Sequence, residues 1–372
     1  MGSVRWLLIT GLLISLSCTG IQAQAPGLSA GPVRIIRHTP KIRFELPRSG
    51  YMVTARWVSG TDSVSGWRKY FRYPTVSAEA IYTNYGNKPL LGEAFGLFPS
   101  IRFEMFALAG VKFGFKAGTG LAYNTRKYDR FTNPLNNVIS SNINNITQFS
   151  LELEKTLGSH FTATVTGHLT HYSNARTVSP NLGVNTYGVL TGVYYKLPGV
   201  KAPVKKTNLA GVDTSFSLRR WGGDLVLGYG ISEYSYEGGP KFGAYFVNAG
   251  AGYSFSPYLR AVMGLEYEYN ESVFQFYYQD FIDKPTARKR ATKTAIYAGT
   301  NMVFGHVMAR IQSGFYLPYP AESEKTVPFN VKLGINCLLL PDRRNFCPYI
   351  GVLLKSHVET AQYMGIVAGA AL

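Results

Sequence analysis

Alternation with period two is the feature that most limits what this chain can become. In residues 161–173 the odd positions read Phe161, Ala163, Val165, Gly167, Leu169, His171 and Ser173. The even positions read Thr162, Thr164, Thr166, His168, Thr170 and Tyr172. Successive side chains of a strand point to opposite faces, so one face here is largely apolar and the other polar. The split recurs at 111–123, where Lys112 and Lys116 interleave with Val111, Phe113 and Phe115, and again at 149–154 and 259–269, where glutamates alternate with apolar residues. Charge on the second face of so many long strands fits a wet barrel lumen better than the surface of a soluble sandwich. Phe161, Val165 and Leu169 are therefore expected to face lipid, and Thr162, Thr164 and Thr166 to face inward.

Further strand candidates fall at 50–58, 66–72, 76–84, 93–107, 185–197, 222–235, 241–255, 291–304, 306–317, 328–340, 347–357 and 360–371. The fold class read from them is all-β: an antiparallel transmembrane β-barrel of about 14 strands (roughly 12 to 16). The barrel is expected to occupy residues 24–372 as one domain, with Pro198–Lys206 as a long periplasmic connection. Short turns near Leu108–Gly110, Gly158–Ser159, Ser256–Pro257 and Gly305 mark the periplasmic side. Long polar loops at 125–146, 271–290 and 318–327 mark the extracellular side, which also receives the loop after Ser173.

Composition agrees. Charged residues make up 16% of the chain, whereas soluble domains carry about a quarter. No segment is apolar over the ~20 residues of a membrane helix. Arg5 followed by the short apolar run Trp6–Leu16, with small residues near Ala23 and Ala25, reads as a signal peptide over 1–23. For an exported chain the net charge of +17 does not imply nucleic acid. The phosphates of lipopolysaccharide are the better match, and the loop clusters Arg126, Lys127, Arg130 and Arg288, Lys289, Arg290 could crown them. After cleavage two cysteines remain, Cys337 and Cys347. The oxidising compartment allows a disulfide, which is expected across the hairpin that separates them. Too few ligand-type residues cluster for a metal site, and no cofactor is expected.

One segment carries chemistry: His171 to Tyr187, reading HYSNARTVSPNLGVNTY. His171 and Ser173 lie two apart and share a strand face. Serine becomes a nucleophile when a neighbouring imidazole takes its proton. A third group should hold that imidazole in the right tautomer. Asn185 opens the next strand with the parity of Tyr187, Val189 and Val193, an apolar row. All three residues would then meet on the outside of the barrel at its extracellular rim, facing the lipid leaflet rather than the lumen. His168 has lumen parity and reads as polar filler; His357 reads as structural.

The segment resembles the outer-membrane lipid A deacylase (PagL) family, whose signature is His-x-Ser-Asn followed by Pro-Asn-x-Gly. The matching residues are His171, Ser173, Asn174, Pro180, Asn181 and Gly183. The resemblance spans roughly 110–197 and implies a barrel enzyme that hydrolyses the 3-position ester of lipid A. It implies Ser173 as nucleophile and His171 as general base. It also makes Asn174 and the loop amides, with Asn181 and Gly183, candidates for the oxyanion and substrate contacts, whereas Arg176 reads either as a bidentate fork for a lipid A phosphate or as a solvated loop residue. Two positions depart from the pattern: Asn185 stands where the family has an acidic residue, and Arg176 where it commonly has glycine. The expected function is that of an outer-membrane serine esterase, a carboxylic ester hydrolase acting on lipid A of the outer leaflet. The alternative is a non-enzymatic porin or structural barrel.

Overall fold

A computed structural model describes residues 23–59, 66–198, 220–233, 238–317, 328–340, 346–357 and 360–371. All but the last residue of the signal-peptide reading (1–23), most of the connection read at Pro198–Lys206, and the loop 318–327 lie outside these residues. The chain is all-β and antiparallel, as expected, but the sixteen strands among the described residues close into two barrels of eight rather than one large barrel. They fall in two compact units, Met1–Asn174 with Pro180–Val212, and Ala175–Ser179 with Asp213–Leu372. Alternation reports which face a residue shows and is the same for either closure, so it could not separate the two arrangements. Among the described residues no helix is long and apolar enough to cross a membrane.

The first barrel runs β1 (Ala23–Ile35), β2 (Gly50–Ser59), β3 (Thr75–Asn84), β4 (Glu93–Leu108), β5 (Val111–Asn124), β6 (Ile143–Leu157), β7 (Phe161–Ser173) and β8 (Val184–Tyr195). It closes by antiparallel pairing of β1 with β8. One candidate strand is corrected and one strand is added: residues 66–72 hold a short helix, α1 (Gly66–Tyr70), and the strand between β2 and β8 is β1, whose sequence does not alternate clearly. Its Pro26-Gly27 and Gly31-Pro32 pairs resemble turn signals. In the barrel the glycines serve close packing instead: a Cβ on Gly27 would strike the Tyr194 ring, and one on Gly31 the Val189 carbonyl.

The facing of β7 is as predicted. Phe161, Val165 and Leu169 are 43–49% exposed, while Thr164 and Thr166 are buried at 4% and 2%. His168 is buried on the lumen face and meets the Thr170 hydroxyl at 3.0 Å. The expected wet lumen is instead a packed one, since eight strands leave an interior that side chains can fill. Arg56 makes two hydrogen bonds to Glu152, at 2.7 and 3.0 Å; Arg102 Nε lies 3.0 Å from the same carboxylate, and Lys116 Nζ 2.9 Å from Glu79. Toward the end that holds Ser173, the interior becomes apolar: Tyr85, Phe98, Ile146 and Tyr172 pack with Val138 and Ile139 from the long loop 125–142. Glu152→Leu should therefore lower barrel stability by about 3 kcal/mol, because it takes a shared buried carboxylate from Arg56 and Arg102 and leaves them only Glu79 and Glu154 as acidic partners. The temperature at which the folded band converts to the unfolded one on semi-native gels measures it.

The second barrel holds eight strands, from β9 (Trp221–Glu233) to β16 (Thr360–Ala371), closed by β9–β16 pairing. Its lumen is also filled, with Arg310 against Asp224 at 2.8 Å, Lys332 against Glu266 at 2.8 Å and Lys355 against Glu268 at 2.6 Å. The stretch 271–290, read as a loop, contains two helices, α2 (Glu271–Gln279) and α3 (Lys284–Ala291). Asn270 caps the first by accepting from the Ser272 N–H at 3.0 Å, and Asp283 caps the second by accepting from Thr286 at 3.1 Å. Arg288, Lys289 and Arg290 occupy the last turn of α3, where cations favour the helix dipole. His357 contacts the Tyr316 hydroxyl, Gln362 and the Phe329 carbonyl, a structural role.

The expected Cys337–Cys347 disulfide does not form. Cys337, one residue before the end of its strand, lies opposite Ile350, and the following pair is Leu338 with Tyr349. In that register Cys347 faces Leu340, three positions beyond Cys337 and on the other face of the sheet. Three residues of strand span about 10 Å, well past the ~7 Å limit between bridged Cα atoms.

Candidate active site

Strand register brings the site together. His171 on β7 pairs directly with Asn185 on β8, and on the other side β6 places Thr147 opposite His171 and Asn145 opposite Ser173. Directly opposed residues share a face, so these side chains form two neighbouring rungs on the outer wall. The next rung along is apolar: Phe149, Leu169 and Tyr187, all exposed.

His171 Nδ1 lies 2.6 Å from Asn185 Oδ1. A carbonyl oxygen only accepts, so the imidazole proton resides on Nδ1 and Nε2 keeps its lone pair. That is the tautomer a general base requires. Ser173, two residues along the same face, receives a 2.7 Å hydrogen bond from Asn181 Nδ2. The backbone N–H of Asn174 donates to Asn181 Oδ1 at 3.4 Å, which points the amide's nitrogen toward the serine.

The loop carrying Asn181 is itself anchored. Leu182 and Gly183 donate to the carbonyls of Asn137 and Val138 at 3.2 and 2.9 Å. Gly183 has φ +78°, a conformation open to glycine at little cost. A Cβ there would come within 2.7 Å of His171 Cε1. Gly183→Ala should thus strain the loop and push the imidazole out of line, lowering ester hydrolysis by about 10- to 100-fold. Release of fatty acid in detergent micelles, with retention of the folded gel band, is the check.

Two candidates stand differently from the expectation. The Asn174 side chain donates to Ser140 and Ser141 at 2.9 and 3.0 Å, so its amide is turned into the loop 125–142. Asn181, not Asn174, presents a side-chain donor to Ser173. Arg176 belongs to a segment, Ala175–Ser179, that groups with the second unit, so it is not among the residues that the first barrel gathers. Its φ of +65° accounts for the glycine common at that position in the family pattern.

Comparison with known proteins matches the same stretch. A family model described as lipid A 3-O-deacylase (PagL) covers residues 51–194, and one described as acyloxyacyl hydrolase, C-terminal domain, covers 221–364. The chain belongs to the PagL family. The matches fall one on each barrel, so this PagL-family chain is of a longer, two-barrel kind. It is an outer-membrane lipid A deacylase, a carboxylic ester hydrolase. Among solved structures, the outer membrane enzyme PagL is 20% identical, with 45% of this chain and 97% of that chain covered and a TM-score of 0.34. The Pseudomonas putida toluene transporter TodX is 10% identical, covering 98% and 93%, with a TM-score of 0.19. CdiB from Acinetobacter baumannii is 7% identical, covering 94% and 60%, also at 0.19. No curated protein matches the chain.

Asn145 and Thr147 were not singled out from the sequence. The polar run 125–146 reads as a loop that includes Asn145, whereas β6 begins at Ile143. Their parity with Ser173 and His171 becomes visible once the strand is extended.

Proposed function

We propose that this chain is a serine esterase that removes the 3-position acyl chain of lipid A. The observation that carries the reading is the 2.6 Å contact of His171 with Asn185 on the outward face that also bears Ser173. Lipid A diffuses in the leaflet to the wall and lays its acyl chain along the apolar rung of Phe149, Leu169 and Tyr187. Ser173 Oγ attacks the ester carbonyl while His171 Nε2 takes its proton. Asn181 Nδ2, beside Oγ, is placed to donate to the developing oxyanion. Collapse breaks the bond to the sugar oxygen, which leaves with the proton held by His171. Water, deprotonated by the same imidazole, then cleaves the acyl-serine and frees the fatty acid. Asn185 holds the ring in its tautomer throughout.

The porin alternative finds little support, since both lumens are filled by paired charges and aromatic side chains. Mass spectrometry of lipid A incubated with and without the purified protein tests the proposal. Loss of one ester-linked chain, at the 3-position, is expected; unaltered lipid A would sink it.

A further inference from the structure

Beside the candidate triad, the lipid-facing wall carries polar side chains that the steps above do not use. Thr119 on β5 pairs with Thr147 on β6, Thr147 with His171, and His171 with Asn185, so one rung crosses four strands. Asn145 lies on the adjacent rung opposite Ser173. Polar groups on a wall in contact with lipid must find partners, and these find them in one another. Asn145 Nδ2 donates to Thr119 Oγ1 at 2.9 Å and to the Gly120 carbonyl at 3.0 Å. Thr147 Oγ1 donates to Asn145 Oδ1 at 2.8 Å. Thr119 Oγ1 has the Ile146 carbonyl at 3.1 Å and Thr147 Oγ1 at 2.9 Å within reach of its one proton.

The proton count decides what this cluster can bind. An amide nitrogen has two protons and each hydroxyl has one. All four are committed inside the cluster. Lone pairs remain, because Asn145 Oδ1 and each hydroxyl oxygen can accept twice and each is engaged once at most. The exposed chemistry is therefore accepting only. It cannot hold the ester carbonyl, which also only accepts. It fits a hydrogen-bond donor near the scissile ester.

We propose that Thr119, Asn145 and Thr147 form an acceptor ladder that selects substrates bearing a hydrogen-bond donor close to the ester cleaved at Ser173. This rests on the esterase reading and names the feature of the acyl glycolipid that the site recognises. Two groups could supply the donor: a hydroxyl on the acyl chain near its carboxyl end, or the amide N–H on the neighbouring sugar carbon. The three residues are positioning residues and touch no bond that breaks.

The test uses the full chain in detergent micelles with synthetic glucosamine lipids carrying a 3-position acyl ester. One lipid has both donors, one lacks the chain hydroxyl, and one has an ester in place of the sugar amide. The wild-type protein should lose about tenfold in kcat/KM when the donor held by the ladder is removed. Which lipid shows the loss identifies the source. In Thr147→Val, which keeps shape and removes the acceptor, that preference should shrink to about twofold or less. Thr147→Ser should restore it, a rescue that a merely structural role would not predict. Equal rates on all three lipids with the wild-type protein, or an undiminished preference in Thr147→Val, would overturn the ladder while leaving the esterase standing. A wild-type protein that cleaves none of the three would remove the esterase reading, and the ladder with it.

Discussion

Ser173→Ala is expected to abolish release of fatty acid from lipid A, lowering kcat by on the order of 10³-fold or more, with the folded gel band unchanged. The side chain loses one oxygen, and that oxygen is the only nucleophile in the proposal. Although Ser173 is buried, its removal takes away a single oxygen and leaves a partner, Asn181, that can turn to other acceptors. His171→Ala should come close to the same loss, since serine without a base is a weak nucleophile at neutral pH. The double variant should be no worse than Ser173→Ala alone, because nucleophile and base act as a unit. Near-normal activity in Ser173→Ala would end the serine mechanism and turn attention to a water activated directly by His171.

How much of this was legible beforehand differs by level. The facing of β7 was, because parity is local: Leu169 outward and His168 inward need only the sequence around them. His171, Ser173 and Asn185 followed from the same parity, and the structure brings the first and last into contact. Closure was not legible. It depends on which strands pair across long separations, and the partner that closes the first barrel, β1, is broken up by glycines and prolines that read as turns. The candidate at 66–72 compensated in number for the strand that was missed, so a nearly correct count concealed a wrong topology. The disulfide failed for a related reason. Spacing along the chain says that two cysteines flank a hairpin, but only the register says whether they face one another. Asn174 and Asn181 could not be told apart as donors without loop 125–142, whose Ser140 and Ser141 take the Asn174 amide.

The substitution with the most to say about the site is Asn185→Asp. The two side chains have the same shape, and the oxygen that now accepts from His171 Nδ1 at 2.6 Å would be retained. What changes is charge. When Ser173 gives up its proton the imidazole becomes an imidazolium, and a carboxylate at 2.6 Å stabilises that cation where an amide dipole does so weakly. The rate at the pH optimum should rise by about 10- to 100-fold. The same attraction favours the protonated ring before substrate arrives, so deprotonated base becomes available only at higher pH. The acid limb of the pH–rate profile should therefore move upward by about one unit. Asn185→Leu removes both dipole and acceptor and should lower the rate by about 10²-fold, because the ring is then free to turn and to change tautomer. Rates for the three proteins across pH 5–9, on one lipid A preparation, separate these effects. A carboxylate that leaves both the plateau and the acid limb where they were would mean that Asn185 does not act on His171 during the reaction, and the ring would have to be oriented from the β6 side, where Thr147 is its direct neighbour.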